Sequence, residues 1–144
     1  MTPEEILKKY ELKVTYARIR VLELFQNHPF ALSHPFLEKN IDNIDRVTLY
    51  RTLNTFEHEG IIHKVLDDSC TLKYALCIDF CKHHDKKHKH EHLHFQCIKC
   101  NQTTCLQVQI PCIEVPDGYE IIDTHFSVKG VCKKCNQILS HPNS

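Results

Sequence analysis

The chain has 144 residues, Lys plus Arg equal to Asp plus Glu at 18 each, nine Cys and twelve His. That length holds one ordinary domain or two small ones, and the balanced charge means that any nucleic-acid binding must rest on local placement of cations. No apolar run is long enough to span a membrane, no signal-peptide pattern is present, and the odd cysteine count argues against simple pairing; the cysteines are expected to be metal ligands of a cytoplasmic protein.

The first third reads as helices. Pro3 suits a first helical turn, with Ile6, Leu7 and Tyr10 on one side. Thr15 is a natural N-cap for a second helix carrying Arg18, Val21, Leu22 and Phe25 at spacings of three and four, ended by Asn27-His28-Pro29. Ser33 opens a short third helix through Phe36, Leu37 and Ile41. Asp45 caps a fourth through Val47, Tyr50, Leu53 and Phe56, with Gly60 as its stop. Two partly β-branched runs, 61–66 and 71–76, flank Asp67-Asp68-Ser69 as a β-hairpin. Short helices followed by a hairpin outline a winged helix-turn-helix, with the fourth helix as the one that enters the major groove. Its polar positions are Arg46, Thr48, Tyr50, Arg51, Thr52 and Asn54, a mixture suited to phosphates and base edges but also to plain solvation.

Composition then changes. Residues 81–91 are rich in His and Lys and read as a hinge between a first domain, 1–80, and a second, 92–144. The second domain opens on alternating imidazoles at His90, His92 and His94, which share one face of a strand, and then on Cys97-x-x-Cys100. A second pair, Cys132-x-x-Cys135, lies near the C-terminus. Two such pairs far apart are what a tetrahedral four-thiolate zinc site requires, the alternative being redox pairs of the thioredoxin kind. The histidines then point to a second metal site. Strands are expected around 93–96 and 103–107, and 119–128 alternates as another; Pro111 and Pro116 confine any helix between them to about a turn. So few large apolar side chains make a poor isolated core, so that zinc and a second subunit are expected to supply the missing stability. The fold class expected is α+β, a winged helix-turn-helix followed by a small zinc-stapled α/β dimerisation domain.

Nearly the whole chain resembles the ferric uptake regulator family of metal-dependent repressors. Leu12-Lys13-Val14-Thr15 with Arg18 resembles its opening, and residues 47–53 (Val-Thr-Leu-Tyr-Arg-Thr-Leu) its recognition helix. Gly60-Ile61-Ile62 resembles the entry to its wing, and His92-x-His94-x-x-Cys97-x-x-Cys100 with Gly130-x-Cys132-x-x-Cys135 its metal-binding dimerisation domain. The resemblance implies a homodimeric transcriptional repressor of metal-uptake genes, each subunit placing a winged helix on half of a palindromic double-stranded DNA operator. Tyr50 and Arg51 would reach bases, Thr48 belongs to the same face, and Lys13 and Arg18 would lie near the groove edge and phosphate.

The chain departs from the iron- and peroxide-sensing members. Ala31 or Leu32 stands where those members carry a sensory His, and Tyr74-Ala75-Leu76-Cys77 where they carry a carboxylate. Similarity to the zinc uptake regulator branch, which has Cys at the latter point, implies a sensory set of His63, Cys77, His92 and His94, with Cys105 as alternate fourth ligand. A metal there would fix the angle between the two reading heads. Thiolate and imidazole donors suit Zn²⁺ better than iron(II) or manganese(II). Two zinc ions, one structural and one regulatory, are therefore expected. The family's further ligands map only onto Cys112 or Glu114 and, one residue out of register, His125; Cys70 and Cys81 acquire no role. The alternatives are an iron- or peroxide-responsive member and, in a different class, a zinc buffer or metallochaperone. No enzyme and no small organic substrate are expected, since the acids nearest the ligands in sequence, Asp85 and Glu91, lie in the hinge segment.

Overall fold

The computed structural model describes residues 1–65, 67–77, 93–122 and 124–140. The chain divides into two compact units, Met1–Ile78 and Asp79–Ser144.

In the first unit the helices begin where side chains can satisfy free backbone N–H groups. Helix α1 (Pro3–Lys9) starts on a capping box in which the Thr2 hydroxyl accepts from the Glu5 amide and the Glu5 carboxylate accepts from the Thr2 amide. Thr15 caps α2 (Tyr16–Asn27), Ser33 caps α3 (His34–Asn40) and Asp45 caps α4 (Arg46–His58). Helix α4 ends in a Schellman motif. Gly60 takes φ +73°, its amide donates to Glu57, and the Ile61 amide donates to the Phe56 carbonyl. That bend delivers the chain into β2 (Ile62–Val65), which pairs antiparallel with β3 (Lys73–Leu76). A two-residue strand, β1 (Leu32–Ser33), adds to the other edge of β3, giving the order β1-β3-β2. Leu49, Thr52, Leu53 and Phe56 form the buried stripe of α4, at the spacing an amphipathic helix dictates. Leu49, Leu53 and Phe56 join Ile6, Leu7, Val21, Leu22, Phe25, Leu37, Ile61 and Ile62 in one core.

In the second unit β4 (Leu93–Cys97) is the central strand, antiparallel to β5 (Thr103–Leu106) on one side and parallel to β6 (Phe126–Gly130) on the other. A parallel neighbour needs a long return connection, and the residues between β5 and β6 supply it. Within that connection the Tyr119 amide donates to the Pro116 carbonyl across a turn with Gly118 at φ +88°, the backbone a type II turn demands at its third residue. Helix α5 (Lys133–Ser140) follows.

One expectation for this unit is corrected. Among the described residues, the alternation over 119–128 yields a strand only from Phe126 onward, and Ile122 is 92% exposed. Gly130 makes no left-handed turn. It closes β6 where a Cβ would sit 2.9 Å from Phe95 Cζ, so the residue is dictated by close approach rather than by φ. Helix α5 was not anticipated at all.

Candidate metal centre and nucleic-acid interface

The cysteine quartet is assembled by two turns. Cys97 ends β4, and the chain reverses through Asn101 at φ +57°, with the Asn101 amide donating to the Cys97 carbonyl and the Cys97 amide to the Gln102 carbonyl. Asn tolerates that left-handed geometry better than most residues. The Ile98 amide donates to the Gly130 carbonyl at 2.8 Å, locking this turn to the end of β6 and so to Cys132. The Asn136 amide donates to the Cys132 carbonyl, which places Cys135 in the first turn of α5. All four sulfurs lie within 4.8 Å of one another, and Cys100 Sγ to Cys132 Sγ is 3.9 Å. Sulfurs each about 2.3 Å from a central tetrahedral ion lie about 3.8 Å apart, so the quartet is gathered on the scale such an ion needs.

The electrostatics agree with the geometry. Backbone amides of Cys132 and Lys99 donate to Cys97 Sγ at 3.3 and 3.4 Å. Led by the Cys132 amide, these donors hold the Cys97 thiol down at about 6. Cys135 is pushed up to about 12, chiefly by its side-chain hydrogen bond to Cys132, then by burial and the remaining sulfurs. Four sulfurs this close cannot all ionise unaided, and a divalent cation among them removes the conflict.

The first unit contributes a smaller donor pair. His63 faces Ala75 across the β2–β3 ladder, and Cys77 lies two residues beyond Ala75, hence diagonal to His63 on the same face. The Cys77 amide donates to the Ile61 carbonyl, continuing the ladder past β3. His63 Nδ1 lies 2.7 Å from Cys77 Sγ, and the residues are 3% and 1% exposed. In the second unit His94 and Cys105 are opposite one another on β4 and β5, with ligand atoms within 4.8 Å. His92 and the histidines of 83–90 lie outside the described residues. Cys70 and Cys112 are exposed.

On the helical face, Val47, Tyr50, Arg51 and Asn54 are all exposed and follow the i, i+3, i+4, i+7 rule, a single outward stripe on α4. Two residues grouped with them in the sequence behave differently. Thr52 turns inward, buried, with its hydroxyl donating to the Thr48 carbonyl. Arg46 is drawn to α3, its Nε 2.8 Å from Glu38 Oε1; nothing in the local sequence pattern singled out Glu38. The Thr48 hydroxyl donates to Asp45 at 2.7 Å, and the Arg18 guanidinium to the Lys13 carbonyl at 2.8 Å, leaving the Lys13 side chain exposed. No helix among the described residues is long and apolar enough to cross a membrane.

Comparison with known proteins agrees with these features. The family model described as the ferric uptake regulator family matches residues 9–115. The ferric uptake regulation protein of Neisseria meningitidis is 32% identical over 144 aligned residues, covering 90% of each chain. The Francisella tularensis ferric uptake regulator with iron is 26% identical, covers 87% of this chain and 95% of that one, and superposes with a TM-score of 0.55. A zinc uptake regulator complexed with zinc and DNA, 21% identical, shares the fold at a TM-score of 0.61 over 96% of this chain and 93% of that one. With a winged helix, a converged cysteine quartet and a family match over most of its length, the chain belongs to the ferric uptake regulator family and is a metal-responsive transcription regulator.

Proposed function

We propose that this chain is a zinc-responsive repressor of metal-uptake genes, acting as a homodimer on a palindromic operator. Cys97, Cys100, Cys132 and Cys135 would hold a structural zinc, and His63, Cys77, His92 and His94, with Cys105 as alternate fourth ligand, a regulatory one. The observation that carries the metal assignment is the buried His63–Cys77 pair. A thiolate and an imidazole kept from water are borderline-soft donors, which suit four-coordinate zinc and disfavour ions that want several oxygens. A bound divalent ion supplies a fixed node, and only a DNA-competent conformation that gathers its donors is stabilised by it. Tyr50 and Arg51 on the exposed stripe would meet base edges, Thr48 would lie beside them, and Lys13 and Arg18 would meet the backbone.

Dimerisation is supported by the apolar surface of the second unit. Val108, Ile110, Ile113, Ile121, Ile122 and Phe126 line an open groove of about 530 Å³, a surface better suited to a second subunit than to water. Iron-responsive regulation is the second reading, favoured by the ferric uptake name of the relatives at 32% identity.

The test follows operator binding by fluorescence anisotropy while quartet-loaded protein is titrated with buffered free zinc, iron(II) or manganese(II). Zinc is expected to act at the lowest free concentration. Cys77→Ser and His63→Ala should abolish the response while the quartet metal and the dimer persist. Activation by iron(II) at lower free concentration than zinc would establish the second reading instead.

A further inference from the structure

Part of the polar capacity in the first turn of α4 is engaged within the protein. Arg46 pairs with Glu38 of α3 while its side chain stays 81% exposed, and the Thr48 hydroxyl and amide both donate to the capping carboxylate of Asp45. Between them stands Val47, 57% exposed, with Tyr50 three residues on at 56%. Residues at 47, 50, 51 and 54 fall within an arc of about 100° around a helix of 3.6 residues per turn, so the stripe that carries Tyr50 and Arg51 begins on an isopropyl group. The N-terminal residues of a recognition helix are those that meet base edges. An exposed β-branched residue there brings neither helix propensity nor a hydrogen bond. Among the edges of the major groove only thymine presents an apolar group, its 5-methyl.

We propose that Val47 is a specificity-determining residue that recognises a thymine in each operator half-site through the 5-methyl group. The inference rests on the DNA-binding reading above and deepens it by naming what part of the operator one residue selects. Val47 adds apolar contact at one base step, whereas Arg51 adds hydrogen bonds further along the same stripe. Its contribution is therefore insensitive to salt, unlike contacts to phosphate.

The experiment uses the full-length metal-loaded protein and a duplex enriched by it from a randomised pool. Each thymine of a half-site is replaced in turn by deoxyuridine, which removes only the methyl group, and affinity is measured for wild type and Val47→Ala. Wild type is expected to lose about fourfold at one thymine, the effect of one buried methyl. Val47→Ala alters both subunits, so it should lose about sixteenfold on the intact duplex and be indifferent to deoxyuridine at that position. Because Val47 is exposed, the variant should keep the wild-type melting temperature and metal content, which are measured alongside. Uniform wild-type affinity on all the deoxyuridine duplexes would overturn the assignment, as would a variant that remains as sensitive as wild type at the same thymine. Failure of any duplex to enrich would overturn the DNA-binding reading itself, an outcome distinct from retained binding without methyl sensitivity.

Discussion

Met1–Ile78 keeps Phe56, Ile6, Leu7, Leu22, Leu37, Leu53 and Ile61 essentially out of water, whereas among the described residues of Asp79–Ser144 the only buried hydrophobic one is Cys97, a member of the cysteine quartet. What else is buried there is polar: His94, Gln96 and Thr103. A fully buried Leu, Ile or Phe stabilises by about 1.5–3 kcal/mol, and the first unit has many. The second has a three-stranded sheet, a thiolate cluster and an exposed apolar groove. One unit is thus held by its own side chains, and the other lacks such a core; on the function proposed above, an ion and a second subunit would supply what it lacks. A first unit that keeps its shape with or without metal, and a second whose order would depend on metal, is a sensible division for a metal-responsive regulator.

The sharpest way to break this contrast is to remove one sulfur. Cys132→Ser, or a strong chelator, should cost the second unit an amount on the order of 10 kcal/mol, the scale of structural metal binding coupled to folding. Amide exchange at Phe95 and Val128 should become fast while exchange at Leu53 and Phe56 stays slow. Equal loss of protection in both units would show that the first has no independent core. The converse substitution, Phe56→Ala, should cost about 3–5 kcal/mol through the cavity it leaves, read by urea unfolding of the helical signal. Metal content at the quartet should be unchanged.

Packing decides the outcome at one place in the second unit. Gly130→Ala puts a methyl 2.9 Å from Phe95 Cζ and should destabilise by about 1–3 kcal/mol, as overpacking does. Phe95→Leu in the same chain should restore much of the loss. Because Gly130 also anchors the turn after Cys97, the single variant should release the quartet metal to a chelator faster than wild type, and the double variant should not.

The same division governs what the amino-acid pattern could reveal. Thr15, Ser33, Asp45 and Gly60 each announce a helix boundary within a few residues of where it acts, and all four lie at the ends expected. The quartet was equally legible, because Cys-x-x-Cys is local chemistry and its convergence follows from valence. Parallel pairing of β4 with β6 was not legible. It depends on the Phe95 ring fitting against Gly130 and on one amide from Ile98, contacts between segments more than thirty residues apart. The alternation of 119–128 misled for the same reason, since period-two patterning makes a strand only where a neighbour offers its edge. Thr52 reads as outer by its polar side chain although its spacing from Leu49 and Phe56 puts it on the buried stripe, whereas Arg46 is exposed as expected and only its partner Glu38 is hidden from the pattern.

The smallest effect separates the units by acid. Asp45 caps α4, and its carboxylate is held below its ordinary value of 3.8, first by the Thr48 hydroxyl and then by the Thr48 amide. A carboxyl whose pKa is lower folded than unfolded stabilises fully above the unfolded value, and loses that contribution as pH falls through the folded one. Asn caps a helix as well as Asp but carries no charge. Asp45→Asn should therefore leave stability at pH 7 nearly unchanged, and wild type should fall behind the variant only below pH 3.8. The other carboxyls titrate alike in both proteins and cancel in the difference. Proton competition for thiolate and imidazole should already have released metal at higher pH, so the second unit should lose its order before this difference begins to change. Parallel urea unfolding of the two proteins across the acid range, with metal release followed in the same samples, checks both the sign and the order. A difference that changes near neutrality, or one that grows in favour of wild type as pH falls, would show that Asp45 is not the ionised cap of α4.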